Sequence, residues 1–176
     1  ESLRKLSDDH HVFYSKRLKG VKNAKEEVEI DFLVFDGKRT LLCFEVKGGI
    51  ISYDGQTQGW RMNGNPMKTA PNVQASRATH SLIKYMGQRV QSLSVDWALW
   101  FPQCSKPKGL RIPELDSQLV FDEGDLLDVK GAIGRAQDAV AKKFPRRGAS
   151  PRQAEDLVAE LSRSLAFINK VGVRIA

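Results

Sequence analysis

A chain of 176 residues, 41% hydrophobic and 28% charged, can bury one sizeable core and has the proportions of a globular domain. Its formal charge of +7 suits a polyanionic partner. No apolar run approaches the length of a membrane span, no signal peptide stands at the start, and no repeat or low-complexity tract interrupts the chain, so membrane and repeat classes drop out. The two cysteines, Cys43 and Cys104, sit in or just after apolar runs, which fits buried thiols, a reducing compartment and a cytoplasmic location. His10, His11 and His80 have no zinc-ligand spacing, and no nucleophile elbow is present.

The first residues, ESLRKL, read as the end of a helix whose beginning would precede Glu1. His11 to Ser15 reads as a short strand. Lys16, Arg17, Lys19, Lys22 and Lys25 then form a basic stretch, which a solvated loop explains as well as a phosphate-binding face does.

Two strongly apolar runs follow, EVEIDFLVF at 27–35 and LLCFEVK at 41–47, with Asp36-Gly37-Lys38-Arg39 as the turn between them. Side chains alternate along a strand, so Ile30, Phe32 and Val34 share one face, and Glu29, Asp31, Leu33 and Phe35 the other. In the second run Leu42, Phe44 and Val46 oppose Leu41, Cys43, Glu45 and Lys47. A two-residue turn would set Asp31 opposite Leu42 and mix the faces, so the register predicts an odd-length loop or a bulge. Asp31, Glu45 and Lys47 then come together.

Two carboxylates and an ammonium at the ends of buried strands point to a divalent metal. Mg²⁺ takes carboxylate, carbonyl and water oxygens, the backbone carbonyl of Val46 offers one more oxygen, and a lysine can orient a water; the implied reaction is phosphodiester hydrolysis. The same pattern also describes an ordinary Lys-Glu cross-strand pair on a half-solvated face.

Further on, Gly49 to Tyr53 and Gly59 to Met62 read as a smaller hairpin turning at Asp54-Gly55, with Trp60 packing it. A helix is predicted from Asn72 to Met86, stopped by Gly87, with Gln74, Arg77 and Ser81 on a polar stripe facing the site. Ser94 to Phe101 is a central strand ended by Pro102, and Gln118 to Phe121 a second short one. Asp122 caps a helical segment reaching Val129, and Ala132 to Phe144 is a helix ended by Pro145. Lys142, Lys143, Arg146 and Arg147 make a second basic cluster. Ser150, Pro151 and Gln153 spell a capping box for a last helix with Leu157, Leu161, Leu165 and Ile168 on one stripe. The order gives an α/β domain, a mixed β-sheet flanked by helices, which suits many functions.

Asp31 followed by Glu45-Val46-Lys47 resembles the core motif of the PD-(D/E)XK nuclease superfamily. The ordered string EIDFLVF, CFEVKGG, YDGQTQGW and NPMKTAPNVQA more specifically resembles the nuclease-related domain, NERD, over residues 8–86. The resemblance implies a restriction-endonuclease-like core over 8–121 with C-terminal helices at 122–170, the whole 1–176 being one domain that lacks the start of its first helix. It implies that Asp31 and Glu45, with the Val46 carbonyl, hold Mg²⁺ or Mn²⁺, that Lys47 partners the attacking water, and that Gln74 stands beside the active site. A further acid from the first helix is implied before Glu1, a place that Glu29 could fill. The expected partner is nucleic acid, DNA above all, with no membrane, and a helicase or other DNA-processing domain joined to the chain. Three functions follow: a metal-dependent deoxyribonuclease domain, a nuclease-fold module that binds DNA without cutting it, and an interaction domain of a larger DNA-processing protein.

Overall fold

The computed structural model describes Leu6, residues 10–18 and residues 28–164. Residues 1–5 of the expected first helix, Lys19, Lys22 and Lys25 of the basic stretch, and Leu165 and Ile168 lie outside the described residues.

The two apolar runs form β2 (Val28–Phe35) and β3 (Thr40–Val46), antiparallel, with Phe32 opposite Phe44, Val34 opposite Leu42 and Phe35 opposite Leu41. Asp36 N–H donates to Thr40 O at 3.2 Å, which leaves Gly37, Lys38 and Arg39 as an odd-length loop without a bulge. Gly37 takes φ 81°, a left-handed conformation open to glycine at little cost. The expected register holds. Phe32 and Phe44 stack across the strands with centroids 4.4 Å apart.

β1 (His11–Leu18) pairs with β2 beyond the expected stop at Ser15, because its register continues to Leu18 opposite Val28. β7 (Ser94–Trp100) lies parallel to β3 on its other side, from Thr40 opposite Ser94 to Val46 opposite Trp100. β8 is only Val120–Phe121, pairing with Leu99 and Trp100. The predicted strand from Gln118 shortens because the Asp116 carboxylate accepts from Gln118 N–H at 2.8 Å and holds Ser117–Leu119 in a 3-10 turn. The sheet order is β1-β2-β3-β7-β8.

A parallel β3–β7 pair needs a crossover. It consists of a small three-stranded sheet, β4 (Ile51–Asp54), β5 (Gly59–Met62) and β6 (Asn65–Pro66), followed by α1 (Pro71–Met86). Gly87 ends α1 at φ 55°. Since β7 starts beside Thr40, α1 runs back against β3, and its first turn lies at the end of the sheet where β3 finishes.

The faces divide the core. Leu33, Phe35, Leu41, Cys43, Trp97 and Leu99 pack with Ala75, Ala78, Leu82 and Met86 of α1. α3 (Pro151–Ser164) adds Leu157, Val158 and Leu161 to that layer. Phe32, Val34, Leu42, Phe44, Ala98 and Trp100 pack on the other side with Ile133, Ala136 and Val140 of α2 (Val129–Lys143). Ile30, expected beside Phe32, instead packs in the α1 layer, at the point where β2 has left β3. α2 begins three residues earlier than expected because the Asp128 carboxylate caps it, accepting from Gly131 N–H at 3.0 Å. The helical segment after Asp122 is a short 3-10 turn, Glu123–Leu127, capped by Asp122 as read. At α3 the capping box closes: Ser150 Oγ accepts from Gln153 N–H at 3.2 Å, and Gln153 Oε1 from Ser150 N–H at 2.9 Å. No helix among the described residues is long and apolar enough to cross a membrane.

Candidate active site

The β2–β3 ladder stops at Phe32 and Phe44, and the next opposed positions in that register are Asp31 and Glu45. Along β3, Lys47 N–H donates to Trp100 O at 3.0 Å, so odd-numbered residues address β7 and even-numbered ones address β2. Val46 should therefore pair with the backbone of β2. Instead its N–H donates to Asp31 Oδ2 at 2.7 Å, so a carboxylate replaces a strand carbonyl and the two strands fork. A strand residue presents its N–H and C=O to the same side, so the Val46 carbonyl also faces this fork.

Glu45 and Lys47 project from the same face of β3, two residues apart, and Lys47 Nζ lies 2.6 Å from Glu45 Oε1. Glu45 is only 7% exposed. Burial pushes its carboxyl above the ordinary 4.5, against the Lys47 hydrogen bond and with the Asp31 charge adding to the rise. Burial likewise lifts Asp31 above 3.8; the Val46 N–H and the Lys47 charge oppose this, and the Glu29 charge adds to it. One ammonium thus serves two desolvated carboxylates, with a third acid, exposed Glu29, in electrostatic reach.

Of the residues predicted to form the site, Asp31, Glu45, Val46 and Lys47 come together. Gln74 sits in the first turns of α1, at this end of the sheet, with no hydrogen bond to the other four; its Oε1 is buried without a hydrogen-bond partner among the described residues. Arg77, expected on the same stripe, lines a cleft on the other side of α1. Trp60 is a packing residue, against Tyr53 and Phe101. Both cysteines are buried thiols, and burial pushes Cys43 up to about 12, which makes it an inert core group.

Sequence reasoning missed the clamp on the turn after Lys47. Gln103 Oε1 accepts from Gly49 N–H, and Asn63 Oδ1 accepts from Ile50 N–H at 2.9 Å. Gly49 has φ 81°, and a Cβ there would lie 2.8 Å from Asn63 Oδ1. Gln103 stands 54 positions from Gly49 and Asn63 stands 13 from Ile50, so neither contact leaves a local signal.

Among the described residues, no three His, Cys, Asp or Glu side chains gather into a ligand set of their own. Two carboxylates beside a backbone carbonyl are nonetheless hard oxygen donors of the kind that Mg²⁺ or Mn²⁺ shares with water and phosphate. The raised carboxyls and the unpartnered Gln74 oxygen fit a cation and its water at this fork.

The five-stranded mixed sheet, with helices on both faces and acids where two central strands part, is consistent with a restriction-endonuclease-like nuclease core. The sequence model of the nuclease-related domain, NERD, matches residues 1–102, and the chain belongs to that family. The PD-(D/E)XK superfamily assignment is consistent with it. No curated protein and no solved structure matches the chain.

Proposed function

We propose that this chain is a metal-dependent nuclease domain that hydrolyses DNA phosphodiester bonds. The observation that carries this reading is the fork, where Asp31 and Glu45 meet at the end of a broken ladder with Lys47 Nζ 2.6 Å from Glu45. Asp31, Glu45 and the Val46 carbonyl would hold Mg²⁺ or Mn²⁺, which when bound polarises the phosphodiester and offsets the charge that builds on it. Lys47 orients the attacking water and neutralises charge at the phosphate. Gln74 offers a neutral carboxamide to a phosphate oxygen or to that water.

The test is cleavage of plasmid and single-stranded DNA with Mg²⁺ or Mn²⁺, comparing the chain with Lys47→Ala and Glu45→Ala. Metal-dependent cutting that falls by roughly 10²–10⁴-fold in both variants supports the reading. Cutting that survives in either variant sinks it.

That among the described residues two carboxylates converge on the fork, besides exposed Glu29, favours a second reading: a nuclease-fold module that binds DNA without cutting it. Here no chain cuts, and Asp31→Asn leaves DNA affinity nearly unchanged.

A further inference from the structure

A cleft of about 1250 Å³ lies away from the fork. It runs along the opposite side of α1, from Asn72 in the first turn to Gly87 past the last, and is floored by the start of β7. β8 covers β7 only at Leu99 and Trp100, so the outer edge at Val95 and Trp97 is left to this cleft. Asp96 guards the edge: its Oδ1 accepts from Trp97 N–H at 2.9 Å, and Lys143 Nζ lies 3.0 Å from its Oδ2. An added β-strand is therefore a poor occupant.

The cleft is instead lined by unmatched cations. Arg39, Arg89, Arg135 and Arg163 each have a carboxylate partner; among the described residues Arg77 and Arg146, on the two walls of the cleft, have none, as is also true of exposed Arg61, Arg111 and Arg152 elsewhere. Arg147 has none either, and it lines a smaller hollow that shares Gln88, Gln91 and Arg146 with the cleft. The acids present are Asp96, already paired, and Glu114. Asn72 contributes a buried Oδ1 without a hydrogen-bond partner among the described residues. Apolar side chains from α1 and β7 complete the walls. Cations on the walls, an apolar floor and an unpartnered amide oxygen are the complement of a single nucleic-acid strand, with phosphates on arginines, bases on the apolar wall and an exocyclic amine at Asn72.

We propose that the cleft between α1 and the edge of β7 is a track for a single DNA strand, with Arg77, Arg146 and Arg147 as its phosphate contacts. This rests on the nucleic-acid part of the reading above and not on its cleavage step.

The experiment is fluorescence anisotropy of a labelled oligo-dT across a salt series, in EDTA so that nothing is cut. It compares the chain with Arg77→Ala/Arg146→Ala/Arg147→Ala and with a charge-matched control, Lys38→Ala/Lys130→Ala/Arg135→Ala, each checked for an unchanged melting curve. The track predicts about tenfold or more weaker binding for the first triple at ~0.15 M salt. It also predicts a log K against log [salt] slope shallower by about 2, from three contacts at roughly 0.7 each on a single strand. The control should keep the slope of the unaltered chain. Equal slopes in the first triple and the unaltered chain, an equal loss in both triples, or no salt-sensitive binding by the unaltered chain overturns the track. Slope loss confined to the first triple, in a chain that does not cut, leaves the track standing and removes the nuclease reading; cutting with unchanged binding in that triple does the reverse.

Discussion

Asp31 and Asp36 sit on one hairpin, at opposite ends of the same ladder, and are treated in opposite ways. Asp36 is saturated: its Oδ1 accepts from the N–H groups of Lys38, Arg39 and Thr40 at 2.9, 2.6 and 3.0 Å, and its Oδ2 from Thr40 Oγ1 at 3.0 Å. Asp31 receives one backbone N–H, lies among desolvated acids, and has its carboxyl raised by burial. A carboxylate that the protein fully satisfies fixes a turn. One that is buried and left with oxygen lone pairs to spare is a group waiting for a cation, since its own fold offers it too little.

The largest expected effect separates the two by function. Asp31→Ala should reduce metal-dependent cleavage by on the order of 10²–10⁴-fold. Asp36→Ala, assayed well below its melting temperature, should stay within a few-fold of the unaltered chain. Equal losses would break the comparison, because Asp36 touches only its own loop.

Stability should reverse the ranking. Asp36→Ala leaves the N–H and hydroxyl of fully buried Thr40 without their acceptor, at a cost of about 2–4 kcal/mol. For a chain of this size that lowers Tm by roughly 6–12 °C, read by thermal denaturation. Asp36→Asn, which keeps one acceptor oxygen, should recover part of the loss. No change in Tm for Asp36→Ala would mean that the loop tolerates an empty acceptor.

Gly49→Ala addresses the fork from its other rim. The new Cβ meets Asn63 Oδ1 at 2.8 Å in a left-handed conformation, so about 1–3 kcal/mol of stability should go. Cleavage should fall with it, because the turn after Lys47 is displaced. Gln103→Ala removes the acceptor for Gly49 N–H without forcing the backbone, and should give a smaller loss of both. If Gly49→Ala melts like the unaltered chain, the clamp is not rigid.

The contrast between the two aspartates was partly legible in the sequence. Alternation in the two apolar runs sufficed to predict an odd-length loop or a bulge, of which the loop is found, and the meeting of Asp31 with Glu45 and Lys47, because a buried sheet punishes any slip in register. The capping box at Ser150 and Gln153 was equally local and equally readable. What escaped were contacts between distant segments: Gln103 on Gly49, and the cleft that α1 shares with β7 and the end of α2. Arg77 was misplaced for the same reason. Its helical spacing from Gln74 fits one stripe, but which neighbour faces that part of the helix is decided by the sheet edge that β8 leaves bare. Likewise, no apolar pattern in QLVF announces that Asp116 will turn Gln118 out of the strand.

The smallest effect is the most diagnostic of Asp31. In a metal-free chain its folded carboxyl binds a proton more tightly than the unfolded one, and so does that of Glu45. Stability from these groups is therefore fully present below the ordinary values of 3.8 and 4.5, and is lost as pH rises through their raised folded values. Neutral isosteres remove that loss, so Asp31→Asn and Glu45→Gln should melt a few degrees above the unaltered chain in EDTA at neutral pH. The gap should close as the pH approaches 4. Mg²⁺ or Mn²⁺ should close it from the other side, by raising Tm of the unaltered chain and leaving the isosteres where they were. Isosteres that melt lower at neutral pH would mean that the Lys47 ion pair outweighs burial at the fork. The two acids would then be a structural pair of the same kind as Asp36 and its loop.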